Sequence, residues 1–189
     1  GESLLMADRW VIQIPLEDGL VCLRGISPRR LRFEVEYGLE RGTCHNSFLF
    51  QGVGNSALLV HPPGAAFAEP FLQALTQLVP TQSKLTVVQG DVNPNRVALL
   101  QQLMQIWPQF NLVASNAGAK LLEELWQQTP LPAIEIVKHE LQLPLADGFE
   151  LQLVALPTPR WPGGLAAFHG ASGLLMSGRF FGAHLCTES

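Results

Sequence analysis

The fold is decided by one stretch, Leu85-Thr-Val-Val-Gln-Gly-Asp-Val-Asn-Pro-Asn-Arg96. Its first four residues form a short apolar run, which predicts a buried strand over 85–88. A loop that contains Asp91 and Asn93 follows, and a helical pattern begins at Val97. Polar side chains between the carboxyl end of a buried strand and the start of a helix are typical of a substrate or metal site in an α/β fold.

The loop has the spacing of a metal-binding motif but lacks the chemistry of one. Its pattern, D-x-N-x-N-R, is formed by Asp91, Asn93, Asn95 and Arg96. Asparagine is a weak ligand, and arginine stays protonated, so its side chain cannot coordinate a metal ion at all. The stretch therefore predicts where a site lies in the fold and argues against a metal in it.

Length and composition indicate a single domain. The chain has 189 residues, of which 47% are hydrophobic, and its mean hydropathy is +0.18. A chain of this length can bury one sizeable core. No apolar run approaches the roughly 20 residues of a membrane-spanning helix, and the first residues lack the basic start and cleavage site of a signal peptide. We therefore expect a cytoplasmic protein without a membrane span.

The charged residues and the cysteines argue against two further classes of protein. A net charge of −4 with scattered basic residues is unfavourable for a nucleic-acid surface. The cysteines Cys22, Cys44 and Cys186 are odd in number, far apart and free of any C-x-x-C pair. Neither a disulfide framework nor a zinc ribbon is predicted, and we expect three reduced thiols.

The hydrophobic pattern predicts strands at both ends of the chain, with strands and helices alternating between them. Helices are predicted over 67–79, 97–106 and 117–128, each with an apolar stripe at helical spacing. Strands are predicted over 10–15, 19–24, 43–50, 57–60, 85–88, 111–115, 134–137, 141–143, 149–156, 165–169 and 173–177. The basic segment 28–33 is predicted to be a solvated connector. This order predicts an α/β fold with a mixed sheet and helices that cover an outer face.

The side chains that most often carry catalysis show no catalytic spacing. The histidines share no short metal-binding spacing, and each is predicted to be structural: His45, His61, His139, His169 and His184. Ser172 and Ser177 lie outside any nucleophile-elbow motif, so serine hydrolysis has no support. For Asp91 the sequence favours an ion-paired structural role over a role as catalytic acid or base.

Three segments, in the correct order along the chain, resemble flavodiiron proteins. They are Phe33-Glu-Val-Glu-Tyr-Gly-Leu-Glu-Arg-Gly-Thr-Cys-His-Asn-Ser-Phe-Leu49, Ala155-Leu-Pro-Thr-Pro-Arg-Trp-Pro162 and Leu175-Met-Ser-Gly-Arg-Phe-Phe-Gly-Ala-His184. The resemblance is to the metallo-β-lactamase-like domain of that family. It implies an αββα sandwich, with mixed sheets and outer helices, over residues 1–189. In the family this domain carries a di-iron centre and precedes a flavodoxin-like FMN domain, followed in cyanobacterial and plant forms by a flavin-reductase domain. We expect this chain to lack both flavin domains and to be incomplete at its C-terminus.

The resemblance also implies where the iron ligands would lie, and this chain departs from the family there. The family pattern H-x-E-x-D-H falls on Asp91, Asn93, Asn95 and Arg96. The family's next ligand is a histidine before a Trp-Pro pair, and Arg160 takes that position in this chain. Arg179 takes the position of the bridging aspartate. A last histidine would lie beyond Ser189. Trp161 and His184 are expected to lie beside the former ligands.

Six changed ligand positions, three of them arginine, lead us to expect no di-iron site. Iron needs carboxylates and neutral imidazoles to offset its charge, and guanidinium groups would repel it. The expected substitute is an ion pair between Asp91 and one or more of Arg96, Arg160 and Arg179. We expect no cofactor on this chain, and we expect the three arginines to attract an anion to the former metal pocket.

The departures resemble those of cyanobacterial flavodiiron proteins with degenerate ligands, which work beside a paralogue that keeps its metal. The resemblance implies light-linked reduction of oxygen to water with electrons from reduced pyridine nucleotide or ferredoxin, through FMN. It also implies head-to-tail assembly, as a homodimer or as a heterodimer with a paralogue. Two alternatives stay open: a hydrolase of the wider superfamily that binds one metal through Asp91 and His184, and a purely regulatory scaffold.

Overall fold

The computed structural model describes residues 9–27, 43–52, 54–127, 130–145 and 150–177. Its strands are β1 (Trp10–Glu17), β2 (Leu20–Ser27), β3 (Thr43–Gln51), β4 (Ser56–Val60), β5 (Lys84–Val88), β6 (Phe110–Ser115), β7 (Ala133–Val137), β8 (Glu140–Pro144), β9 (Glu150–Ala155), β10 (Leu165–His169) and β11 (Leu174–Met176). Its helices are α1 (Ala68–Leu78), α2 (Pro94–Ile106) and α3 (Asn116–Trp126), and a 3-10 helix, Ala65–Phe67, precedes α1.

Seven strands form the first sheet in the order β1-β2-β3-β4-β5-β6-β7. Strands β1 to β4 are antiparallel neighbours, whereas β4 to β7 run parallel. Parallel neighbours need a crossover, which α1, α2 and the segment with α3 supply. The carboxyl ends of β4, β5 and β6 therefore lie together at one edge of this sheet.

The helices cover one face of the first sheet. Phe71 and Leu75 of α1, Leu100 of α2 and Leu122 of α3 are at most 1% exposed, and they belong to one apolar cluster with residues of the first sheet such as Leu59. These helix residues recur at three- and four-residue spacing, so each helix buries one stripe. The predicted stripes are confirmed, and they form core.

The second sheet covers the other face. Its four strands have the antiparallel order β11-β10-β9-β8. A second apolar cluster lies between the sheets and includes Val60, Val88 and Val113 from the first sheet, with Leu153 and Ala167 from the second. Because each central strand of the first sheet is buried on both faces, its sequence is a continuous apolar run.

The α/β class and the two-sheet sandwich with outer helices are confirmed, but only the first sheet is mixed, because every strand pair of the second is antiparallel. In the described ranges all three helices cover the first sheet, and none covers the outer face of the second. Helix α2 begins at Pro94, three residues before the predicted start, because Asn93 caps it and proline suits the first helical turn. The predicted connector 28–33 lies outside the described residues. No helix among the described residues is long and apolar enough to cross a membrane.

A charged site at the carboxyl edge of the first sheet

Three connections meet at the edge where the parallel strands end. One is the loop after β5, which contains Gly90 and Asp91, and the second is the direct junction of β6 and α3 at Ser115. The third, residues 156–164, joins β9 to β10. A Cβ atom at Gly163 would lie 3.1 Å from the Cα atom of Gly118, in the first turn of α3, so the third loop rests directly on that helix. The stretch that predicted a site thus lies at the expected edge.

An ion pair forms the centre of this edge. Nη2 of Arg96 lies 3.5 Å from Oδ2 of Asp91, and the two side chains are only 14% and 13% exposed. Nη1 of Arg96 donates a hydrogen bond of 2.8 Å to the carbonyl oxygen of Pro62. The guanidinium therefore joins the loop after β5 to the chain that follows β4. The predicted pairing of Asp91 with an arginine is confirmed for Arg96.

Asn93 fixes the position of the arginine. Its Oδ1 accepts a 2.9 Å hydrogen bond from the backbone N–H of Arg96, as an N-cap residue does. Pro94 occupies the first helical turn. The position that carries a glutamate ligand in the related pattern therefore holds a helix cap in this chain.

His45, from the neighbouring strand β3, lies against the arginine. Its Nε2 is 2.7 Å from the carbonyl oxygen of His61 and 3.5 Å from Nη1 of Arg96. Because a carbonyl oxygen only accepts, Nε2 must carry the proton and donate to it. The same nitrogen then has no lone pair for Arg96, so the contact with Arg96 is a close approach of two donors.

His61, the residue after β4, has a left-handed backbone conformation, with φ at 57°. Its N–H donates to Val88, and its carbonyl oxygen accepts from Ser47 Oγ at 2.9 Å as well as from His45. Its ring is buried, with Nε2 3.3 Å from the carbonyl oxygen of Met176. Within the described ranges its Nδ1 has no hydrogen-bond partner. Hydrogen bonds to the backbone N–H and to the backbone carbonyl oxygen of His61 thus hold the left-handed turn.

Burial keeps both histidines neutral. It lowers the pKa of His61 to about 4, and the Arg96 charge nearby acts in the same direction. Burial, followed by the Arg96 charge, lowers the pKa of His45 to about 3. Near neutral pH the site therefore holds one fixed cation, one carboxylate and two neutral imidazoles.

The remaining predicted residues lie at the rim or outside the described part of the chain. Asn95 is exposed on the first turn of α2. Arg160 is also exposed, with its guanidinium carbon 5.6 Å from the centre of the Trp161 ring, and it forms no ion pair with Asp91 in the described residues. Trp161 lies in the loop that rests on α3. Arg179 and His184 lie outside the described residues.

Sequence reasoning missed the part that His45 and His61 play in this site. Both were predicted to be ordinary structural histidines because they share no short spacing with a ligand. One available signal was that His61 follows a buried strand directly, at the same edge as Asp91. The sequence held no such signal for His45, because His45 reaches the site only through the pairing of β3 with β4.

The donors present do not suit a di-iron centre. The Arg96 guanidinium is held at the site by Asp91 and Pro62, and a fixed cation opposes the binding of two ferrous ions. Asn93 is used as a helix cap, and Nε2 of His45 is protonated toward a carbonyl oxygen. In the described ranges no three His, Cys, Asp or Glu side chains are grouped to hold a metal.

No protein-family model matches the chain, but individual proteins match it over most of its length. Diflavin flavoprotein A 6 of Nostoc sp. is 37% identical over 175 residues, which cover 93% of this chain and 30% of that protein. A crystal structure of residues 1–254 of diflavin flavoprotein A 5 of Nostoc sp. superposes with a TM-score of 0.83 at 32% identity, over 96% of this chain and 71% of the fragment.

A second solved structure agrees with the first. The metal-soaked Flv1 flavodiiron core of Synechocystis sp. superposes with a TM-score of 0.83 at 34% identity, over 96% of this chain and 45% of that core. The chain spans only about 30% of the length of the curated relatives it matches. Identity, coverage and fold agree, and the chain belongs to the flavodiiron protein family, within its metallo-β-lactamase-like core domain.

Proposed function

We propose that this chain is a metal-free core of a flavodiiron protein and serves as a structural and electron-transfer partner of a paralogue that binds iron. The observation that carries the proposal is the Asp91–Arg96 ion pair at the positions of the former ligands. A cation that the fold itself supplies stabilises the Asp91 carboxylate in place of a metal. The chain keeps the shape of the core while losing the means to hold iron.

In this proposal oxygen is reduced to water by the partner subunit, with electrons that reach it through FMN from reduced pyridine nucleotide or ferredoxin. This chain would contribute the surface around its former metal pocket, where the exposed Arg160 lies over the half-buried Trp161 at the rim. An exposed arginine beside an aromatic ring is a combination common in protein interfaces. In this proposal the arginines at the former ligand positions, Arg96, Arg160 and Arg179, attract an anion to the pocket, since each guanidinium carries five N–H donors.

The experiment that tests the metal-free assignment is elemental analysis of the purified chain after incubation with ferrous iron and desalting. Iron near zero per chain is the expected result, and a flavodiiron core with all its ligands, treated identically, provides the positive control. Iron near two per chain would overturn the proposal, because a ligand set other than the one described would be holding it.

The partner role needs a separate measurement. The protein that contains this chain is mixed with its metal-binding paralogue, and oxygen consumption and complex formation are recorded together. A complex that consumes oxygen faster than the paralogue alone is expected. A complex with an unchanged rate would favour the regulatory scaffold, and failure to form a complex would exclude both partner roles.

A further inference from the structure

A second concave surface lies at the opposite end of the sheets from the Asp91–Arg96 pair. It is a cleft of about 350 Å³ whose walls include Ser56 and Lys84, the first residues of β4 and β5. The charged site instead follows the last residues of the same strands. Strands of five residues separate two such surfaces by about 16 Å, at about 3.3 Å per residue. The cleft is therefore distinct from the former metal pocket.

The lining of the cleft combines a buried apolar floor with a few polar groups. Leu20, Phe50 and Leu58 are 2%, 7% and 9% exposed, and they form part of the floor. Beside them the hydroxyl of Thr86 donates a 2.8 Å hydrogen bond to Oδ1 of Asn111. A cleft of this volume, with apolar walls and a few convergent polar groups, has the character of a small-molecule site.

The charges in the cleft are arranged along its length. Glu17, the last residue of β1, and Asp18, in the turn between β1 and β2, stand at one end, and Glu135 stands at the other end, on β7. Lys84, on β5, lies between them in the order of the sheet. Five steps from β2 to β7, at about 4.8 Å each, separate the two acidic ends by about 24 Å at the level of the backbone. The cleft is thus long, narrow and acidic at both ends.

The four charged side chains that line the cleft do not neutralise one another. Among the described residues, none of them forms an ion pair, although they line the same cleft: Glu17, Asp18, Lys84 and Glu135. Each carboxylate is therefore able to pair with a charge that a ligand brings. The central ammonium of Lys84 disfavours a ligand cation in the middle of the cleft.

We propose that this cleft binds a linear aliphatic diamine, with one ammonium group at each acidic end and its methylene chain across the apolar floor. The carboxylates at the two acidic ends select the terminal charges, and Leu20, Phe50 and Leu58 bury the methylene groups. Lys84 selects against a third, central ammonium. The site predicts a preference for diamines over monoamines and over polyamines of similar length.

The first test titrates the chain with 1,12-diaminododecane, which is long enough to bring its ammonium groups toward both acidic ends, and follows the backbone amide signals in NMR spectra. Saturable shifts centred on Leu58, Thr86 and Asn111 are expected. Dodecylamine should bind at least about threefold more weakly, because it leaves one acidic end without a partner, and cadaverine, which is too short to reach both ends, should also bind more weakly. Spermine, which has a chain of similar length but carries internal ammonium groups, should bind more weakly than the diamine. Equal binding of monoamine and diamine, or no shifts at millimolar diamine, would overturn the proposal.

Charge-neutralising variants test which residues bind. Glu135→Gln should weaken diamine binding about threefold at low ionic strength. Glu123→Gln removes the same charge from the exposed face of α3, outside the cleft, and should change nothing. Lys84→Gln should strengthen binding and let spermine bind as well as the diamine. All three side chains are exposed, so the variants should fold, and unchanged affinity in Glu135→Gln would contradict the assignment.

Discussion

Nη2 of Arg96 and Oδ2 of Asp91 lie 3.5 Å apart across the gap between the end of β5 and the first turn of α2. Both side chains are largely buried, so solvent screens their attraction less than it would at the surface. The pair lies where the family pattern has two histidine ligands. Its consequences for stability, pH dependence and local packing can each be measured.

Arg96→Met should destabilise the chain by about 2 kcal/mol, because it leaves the Asp91 carboxylate without this cation and the Pro62 carbonyl oxygen without its donor. The measurement is urea unfolding at neutral pH. Arg160→Met is the matched control and should have little effect, because Arg160 is exposed. The double variant Asp91→Asn, Arg96→Met should lose less than the sum of the two single losses. If the loss in the double variant equals the sum of the two single losses, the interaction between Asp91 and Arg96 does not stabilise the fold.

The stability of the chain should fall as the pH falls below about 6.5. The pKa values of His45 and His61 are about 3 and about 4 in the folded chain, below the value of 6.5 expected when unfolded. The unfolded chain therefore binds protons first, and the free energy of unfolding should drop by a few kcal/mol between pH 6.5 and 4.

Urea unfolding over this pH range measures the drop, and His45→Gln should make the curve flatter. His139→Asn, which changes an exposed histidine, should leave the slope as it is in the unmodified chain. If His45→Gln leaves the pH dependence of the free energy of unfolding unchanged, the pKa of His45 is the same in the folded and the unfolded chain.

Gly90→Ala should cost about 2 kcal/mol of folding free energy. A Cβ atom there would lie 2.7 Å from Cε1 of His61 and 2.9 Å from the carbonyl oxygen of Leu165, and the latter cannot move without shifting β10. Gly170→Ala is the control, since its nearest neighbour would be Cε1 of Phe168 at 3.8 Å. Thermal unfolding distinguishes the two. Equal midpoints for both variants would rule out close packing at Gly90.

Asn93→Ala should lower stability by about 1 kcal/mol, because it removes the acceptor for the backbone N–H of Arg96 at the start of α2. Asn93→Asp should keep the cap and add a favourable charge at the helix N-terminus. Asn95→Ala, two residues on and exposed, is the control. The free energy of unfolding of all three should be compared. A loss in Asn93→Asp equal to that in Asn93→Ala would contradict the capping role.

Much of the fold could be predicted because local pattern and burial agree in this chain. The apolar run 85–88 became β5, and the stripes of the three helices became the core under the first sheet. The start of α2 was placed three residues late, since the prediction rested on apolar periodicity, and Asn93 and Pro94 are not apolar. Capping chemistry rather than hydrophobicity sets that boundary.

The site was predictable only in part. The unsuitability of Asn93 and Arg96 as ligands follows from their side-chain chemistry, which no fold can change. That Asp91 pairs with Arg96 and not with Arg160 depends on distances that the sequence does not contain. The loop before β10 turns Arg160 toward Trp161. Spacing along the chain does not show which of Arg96 and Arg160 lies nearer to Asp91, because they belong to separate segments.

By itself, the sequence determined the α/β class, the position of the site at the end of β5 and the absence of histidine and glutamate from positions 91, 93, 95, 96 and 160. Those properties follow from residue type and local period. Tertiary structure alone decided that His45 and His61 lie beside Arg96, because strand pairing joins β3 to β4 and the left-handed turn at His61 presents its carbonyl oxygen to His45. Contacts between distant segments depend on how sheets and loops pack, and that packing is a property of the whole chain.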